Sequence, residues 1–223
     1  MNIEVFGARA SGKSTLGKAI ARERSLSYIS LGDIARAEIE KKNGKSEVIK
    51  QAIVDREYPH GFLPLLIEPV LSDGFVMDGY PRKGWEAEEF VDLLATNNKK
   101  LDVIIDIDIP LETLQDRATR RRICSKCGYQ GEEAGACCNL YLTRRTDDTP
   151  EEIEKGYLLY KEESEETKRI LQLYTNAKLI TLSDMGSIPA LIGAAIYELN
   201  TIELISKVAG ALSTGRTKWG KNN

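Results

Sequence analysis

Residues 7–14 read Gly-Ala-Arg-Ala-Ser-Gly-Lys-Ser, directly after the apolar run 3–6, and a helical pattern over 13–24 follows. A strand that ends in Gly-x4-Gly-Lys-Ser and opens a helix leaves little freedom of fold. The chain must turn tightly, expose successive backbone N–H groups, and enter a helix whose first donors lack intrahelical partners. Such a loop cradles phosphates. In this reading Gly7, Ala8, Arg9, Ala10, Ser11, Gly12, Lys13, Ser14 and Thr15 hold a nucleoside triphosphate. Lys13 reaches its β and γ phosphates, the Ser14 hydroxyl faces Mg²⁺, and Thr15 supports the phosphate side. The string alone fits ATPases, GTPases and small-molecule kinases equally well.

The rest of the chain alternates short apolar runs with helical ones. Runs at 27–30, 74–77, 101–109 and 179–182 read as strands. Patterns at 33–41, 46–56, 62–71, 85–94, 111–120 and 150–174 read as helices, with further helices to about 212. This alternation implies an α/β fold, a parallel sheet with helices on both faces. Stretches near 30–60 and 118–148 fit the alternation poorly and read as insertions, with 123–143 irregular. The length of 223 residues suits one domain. A net charge of -3 speaks against a nucleic-acid partner. The N-terminus carries no basic segment followed by an apolar one, and no window matches the apolar length of a membrane span. The most apolar stretch, 186–196, is too short for one. The expectation is a cytoplasmic monomer with no membrane partner. Ile202, Leu204, Ile205 and Val208 suggest a docked helix near the C-terminus.

Three further segments stand in order behind the glycine loop. They are Ile29-Ser30-Leu31-Gly32-Asp33-Ile34-Ala35-Arg36, Asp73-Gly74-Phe75-Val76-Met77-Asp78-Gly79-Tyr80-Pro81-Arg82, and Leu114-Gln115-Asp116-Arg117-Ala118-Thr119-Arg120-Arg121 with Arg145-Thr146-Asp147-Asp148 after it. Together with the loop they resemble the adenylate kinases, over about residues 1–182. The resemblance implies a three-layer α/β/α P-loop fold with a five-stranded parallel sheet. It implies a core of 1–29, 61–115 and 149–223, an acceptor-binding helical insertion at 30–60, and a lid at 116–148. It implies MgATP as donor and AMP as acceptor. Lys13, Arg82, Arg121 and Arg145 then carry the transfer, and Arg117 stacks on the donor adenine. Leu31, Gly32, Arg36, Gly79, Arg82, Glu86 and Arg145 bind AMP, and Asp78 joins Ser14 in holding Mg²⁺ through water. Arginine suits such chemistry because its fork binds phosphate bidentately and stays charged.

This chain departs from the family pattern at several positions. Arg9 stands where the family carries Pro, and Ala10 where it carries Gly. Gly156 stands at a usual arginine, so slower chemistry is expected. Glu86 replaces Gln and Leu31 replaces Thr at the acceptor base, which keeps GMP, CMP or UMP as alternative acceptors. Gly156, Ala10 and the cysteine pattern leave a low-activity nucleotide-binding regulator as a second alternative. Cys124, Cys127, Cys137 and Cys138 resemble the zinc-holding cysteines of some family lids, although the adjacent last pair is not the family's Cys-x2-Cys. Zn²⁺ in the lid is the resulting expectation, with an empty or three-coordinate site as the alternative. His60, the single histidine, reads as a loop residue without catalytic duty.

Overall fold

The computed structural model of the protein describes residues 1–55, 57–124, 126, 130–131, 142–143, 148–183 and 185–216, with backbone alone at 130–131 and 213–216. Five strands form one parallel sheet: β1 (Asn2–Gly7), β2 (Ser27–Ser30), β3 (Phe75–Asp78) and β4 (Val103–Ile107), with a fifth at Lys178–Leu182. β1 is central, flanked by β3 and β4, and all four pairings are parallel. Crossover helices cover both faces: α1 (Lys13–Arg24), α2 (Leu31–Glu40), α3 (Gly44–Asp55), α4 (Phe62–Ile67), α5 (Gly84–Thr96) and α6 (Leu111–Arg120). The long α7 (Pro150–Thr175) and α8 (Ile188–Arg216) complete the set.

Strand periodicity explains why the sheet is buried twice over. Side chains of a strand alternate between faces. Ile3, Val5, Val103, Ile105 and Ile107 pack into one core, and Phe6, Phe75, Met77 and Ile104 into the other. The helices present matching stripes, Leu16 and Ile20 from α1 on the first side, Phe90 and Leu94 from α5 on the second.

Sequence boundaries hold closely for most elements. The run read as one helix at 62–71 ends at Ile67, and a 3-10 turn covers Glu68–Val70, with Pro69 removing a backbone donor. The region read as irregular contains β5 (Arg122–Cys124), β6 (Gln130–Gly131) and β7 (Leu142–Thr143), paired antiparallel as β6-β5-β7; the strand at Lys178–Leu182 is β8. Strands of two or three residues carry no readable periodicity. After β8 the chain forms one helix, and its Ile188–Leu212 portion is long and apolar enough to cross a membrane by length and composition. The stretch read as too short at 186–196 is thus the start of a longer apolar helix. Leu191, Ala195 and Leu199 on that helix are nonetheless buried in the core.

One ion pair crosses the second core. Asp106 of β4 is buried, and Lys168 of α7 donates to its Oδ2 at 2.5 Å. The Tyr160 hydroxyl donates to the other oxygen. Burial pulls the Lys168 ammonium down, but Asp106 and Glu165 outweigh it and hold the pKa above its ordinary value. Lys168→Met leaves the Asp106 carboxylate buried without its cation. The expected cost is about 3–5 kcal/mol, read from urea unfolding; a loss below about 1 kcal/mol would refute the role assigned to this pair.

Candidate functional site

The site lies beyond the carboxyl ends of β1, β3 and β4, where strand order reverses beside β1. β1 delivers the loop at Gly7, and α1 receives it at Lys13. Two glycines are required by their surroundings. A Cβ on Gly7 would sit 2.5 Å from Ser11 Oγ, and one on Gly12 would sit 2.6 Å from Ile188 Cδ1. Gly12 also has φ 95°, a left-handed conformation unfavourable to any L side chain. Ala10 has φ 67° despite carrying a Cβ. That conformation costs roughly 1–2 kcal/mol, at the position where the family carries Gly. Gly12 makes no side-chain cap and the first turn of α1 has no acidic residue, so its leading N–H groups stay open to an anion.

Asp78, at the end of β3, faces this turn. Ser14 Oγ donates to its Oδ2 at 2.6 Å, and the Tyr28 hydroxyl donates to the same oxygen at 2.5 Å. Asp78 Oδ1 is buried and has no hydrogen-bond partner among the described residues. Tyr28 was not legible as a site residue, because it lies on β2 outside every motif. Lys13 Nζ is 3.4 Å from the Ala8 carbonyl oxygen. Burial pushes its ammonium down to about 8; Asp78 opposes this, while Arg82, Arg121 and Arg9 reinforce it. The cations around Lys13 come from three different parts of the chain. Such a positive cluster is balanced best by a phosphate-rich ligand. Glu4 of β1 is buried below, and desolvation, then Asp78, raises its pKa well above the usual carboxylate range.

Arg82 follows the cis Tyr80–Pro81 bond. Its Nε donates to the Gly79 carbonyl at 2.9 Å, and Thr167 Oγ1 on α7 donates to its carbonyl at 2.8 Å. Glu86 is buried and accepts the Arg82 backbone N–H at 2.7 Å. Burial raises the Glu86 pKa, while the Arg82 and Lys83 backbone donors pull it down. A residue read as a base contact thus also builds the turn that holds Arg82. Arg36 is exposed and pairs with Asp33 one helical turn away, its guanidinium lying over Gly32. The Leu31 side chain is packed in the core, so only its backbone can face a ligand.

On the other side, an Arg117 guanidinium nitrogen donates to the Ser11 carbonyl at 3.2 Å and ties α6 to the glycine loop. Arg121 grips Asp148 with both arms of its fork, Nε to Oδ2 at 2.8 Å, in a pair that is largely buried. Cys124 is buried, and its sulfur accepts the Lys126 N–H at 3.4 Å. Arg145, Cys127, Cys137 and Cys138 lie outside the described residues. Among the described residues no group of three or more His, Cys, Asp or Glu side chains is arranged to hold a metal. A Cβ on Gly156 would meet nothing within 4 Å, so that face of α7 is open. His60 is exposed, 4.1 Å from the Trp85 ring and near Glu89.

Comparison with known proteins bears on this geometry. The family model described as adenylate kinase matches residues 5–179. The chain is 36% identical over 210 residues to an adenylate kinase of Pyrococcus abyssi, covering 84% of this chain and 90% of that one. It is 38% identical over 181 residues to one of Pyrococcus horikoshii, covering 72% and 79%. An adenylate kinase of Clostridium tetani is 31% identical over 229 residues, covering 96% and 100%.

The Lys13 shift sets a pH dependence. Its charged form, the one suited to phosphate, predominates only below about 8 in the free protein. Bound phosphates favour that form and raise the pKa, so binding takes up a proton on the alkaline side. Affinity for a nucleoside triphosphate should fall as pH rises through about 8, by up to about tenfold per unit. Calorimetric titration across that range checks it, and a flat profile up to pH of about 10 would refute it.

Proposed function

The chain belongs to the adenylate kinase family, and from that membership and the geometry above we infer which of its residues carry the reaction. The reaction itself is reversible phosphoryl transfer from MgATP to AMP, giving two ADP. The observation that carries the assignment is the convergence of Lys13, Arg9, Arg82 and Arg121 beside a carboxylate with one unpartnered oxygen.

We place the donor triphosphate on Gly7 to Thr15, with its phosphates against the open N-terminus of α1. Arg117, anchored to the loop, offers its planar face to the donor adenine. Asp78 and Ser14 fit a hydrated Mg²⁺, since the free Asp78 Oδ1 is an acceptor for a metal-bound water. Bound there, Mg²⁺ neutralises charge on the donor phosphates. Arg36, Arg82 and the backbone of Leu31, Gly32 and Gly79 take AMP, with Glu86 near its base. Lys13, Arg82, Arg121 and Arg145 surround the moving phosphoryl group. Its loose transition state spreads charge over three oxygens, so fixed cations stabilise it more than a base would. Asp148 keeps the Arg121 fork oriented until phosphate takes its place.

The divisions follow the same logic. Residues 30–60, which include the hairpin of α2 and α3, are proposed to close over AMP, and 116–148 over ATP. Closure excludes water and protects ATP from hydrolysis. This motion is carried over from adenylate kinases as a class, which are a standard example of lid closure. We propose a monomer in the cytoplasm, a setting that its substrates support.

Two experiments test these assignments. A coupled assay should show AMP-dependent ADP formation that Lys13→Ala lowers by at least about 10²–10³-fold; turnover insensitive to Lys13 would overturn the donor assignment. We also propose Zn²⁺ on Cys124, Cys127 and the 137–138 pair, supported by the four-thiol donor set and the N–H donated to Cys124 sulfur. Elemental analysis should find about one zinc per chain. A ratio near zero with four titratable thiols would remove the claim.

A further inference from the structure

Helix α8 has two apolar faces. Leu191, Ala195 and Leu199 are buried against the core, and α1 is their main helical neighbour. Tyr197, Leu204, Ile205, Val208 and Leu212 are 70%, 63%, 63%, 51% and 68% exposed. At 3.6 residues per turn these five gather on the side of the helix away from Leu199. Glu203 pairs with Arg24 of α1, and residues 204–212 after it are all exposed. The helix from 204 to 216 extends about 20 Å past that pair. None of these residues belongs to the site described above.

The charge of this segment differs from the rest of the chain. Residues 204–223 include Lys207, Arg216, Lys218 and Lys221 with no aspartate or glutamate, in a protein of net charge -3. Trp219 stands among them, an amphipathic ring suited to a headgroup layer. A helix with one exposed apolar face, running into a segment with basic and no acidic residues, has the chemistry of an in-plane lipid-binding element.

We propose that the exposed face of α8 lies on an anionic bilayer surface, with its apolar side chains below the headgroups and the enzyme core above. A transmembrane arrangement conflicts with the opposite face, which is packed on protein and carries the Arg24–Glu203 pair. A second copy is the weaker occupant. Five large side chains on one helix fall well short of the about 20–30 residues per side that a stable interface uses. The like-charged segments of two copies also repel, whereas anionic lipid attracts them.

Sedimentation of the full chain with vesicles tests this. Equimolar phosphatidylcholine and phosphatidylglycerol should pellet the protein at a lipid concentration at least about tenfold lower than phosphatidylcholine alone, and high salt should weaken the difference. Joint Leu204→Ser, Ile205→Ser, Val208→Ser and Leu212→Ser should reduce binding at least about tenfold while AMP phosphorylation is unchanged. Arg216→Gln, Lys218→Gln and Lys221→Gln together should remove the preference for anionic lipid. Protein that stays in the supernatant with both vesicles overturns the proposal. So does equal binding by the serine variant. A dimer in analytical ultracentrifugation that the serine variant dissolves assigns the face to a second copy instead.

Discussion

The hydrogen bond from Ser14 to Asp78 ties the first helix to the third strand, and the site is organised around it. Ser14 follows Lys13, so this bond fixes where the lysine enters. Asp78 precedes Gly79, so the same bond fixes where the turn to Arg82 begins. Tyr28 supplies a second donor from β2, which binds three neighbouring elements through one carboxylate oxygen. The other oxygen has no hydrogen-bond partner among the described residues. Buried acceptors without partners are uncommon because desolvation makes them costly, and this one stands beside Lys13 and the glycine loop.

Around that carboxylate the fold concentrates cations that would repel one another without a ligand. Burial and neighbouring arginines hold Lys13 at about 8. Each arginine is restrained by a different device: Arg82 by the Gly79 carbonyl and the Glu86-supported turn, Arg117 by the loop carbonyl of Ser11, Arg121 by Asp148. In the proposed reaction these contacts orient the forks before phosphate arrives. Such prior orientation is what an electrostatic catalyst needs, because reorientation during the reaction would consume the stabilisation. Ala10 shows the same economy in the backbone, where strain at one residue is held by the packed ends of β1 and α1.

Helix α8 serves two surroundings at once. Ile188 packs against Gly12 and so backs the phosphate loop, while the residues past Glu203 leave the core. Apolar residues on both faces explain why this helix lacks a simple amphipathic stripe. They also explain why its apolar length was read short: polar Glu198, Asn200 and Glu203 interrupt the apolar run in sequence but occupy a minority of the helix surface.

The sequence by itself determined the phosphate loop, the alternation of strands and helices, and the identity of most charged groups at the site. Those features are local: a loop motif needs its own glycines and lysine, and periodicity reports burial within one element. Tertiary structure decided the rest. Tyr28 and Glu4 join the site through strand register, which brings β1 and β2 to either side of β3. Glu86 turned inward to hold the Arg82 turn, and Leu31 went to the core, because burial depends on what packs opposite. The short strands β5, β6 and β7 exist only through pairing between distant segments, and no single segment carries enough residues to announce it. The exposed face of α8 is legible only once the other face is seen against the core, since composition records how apolar a helix is and not which of its sides is already covered.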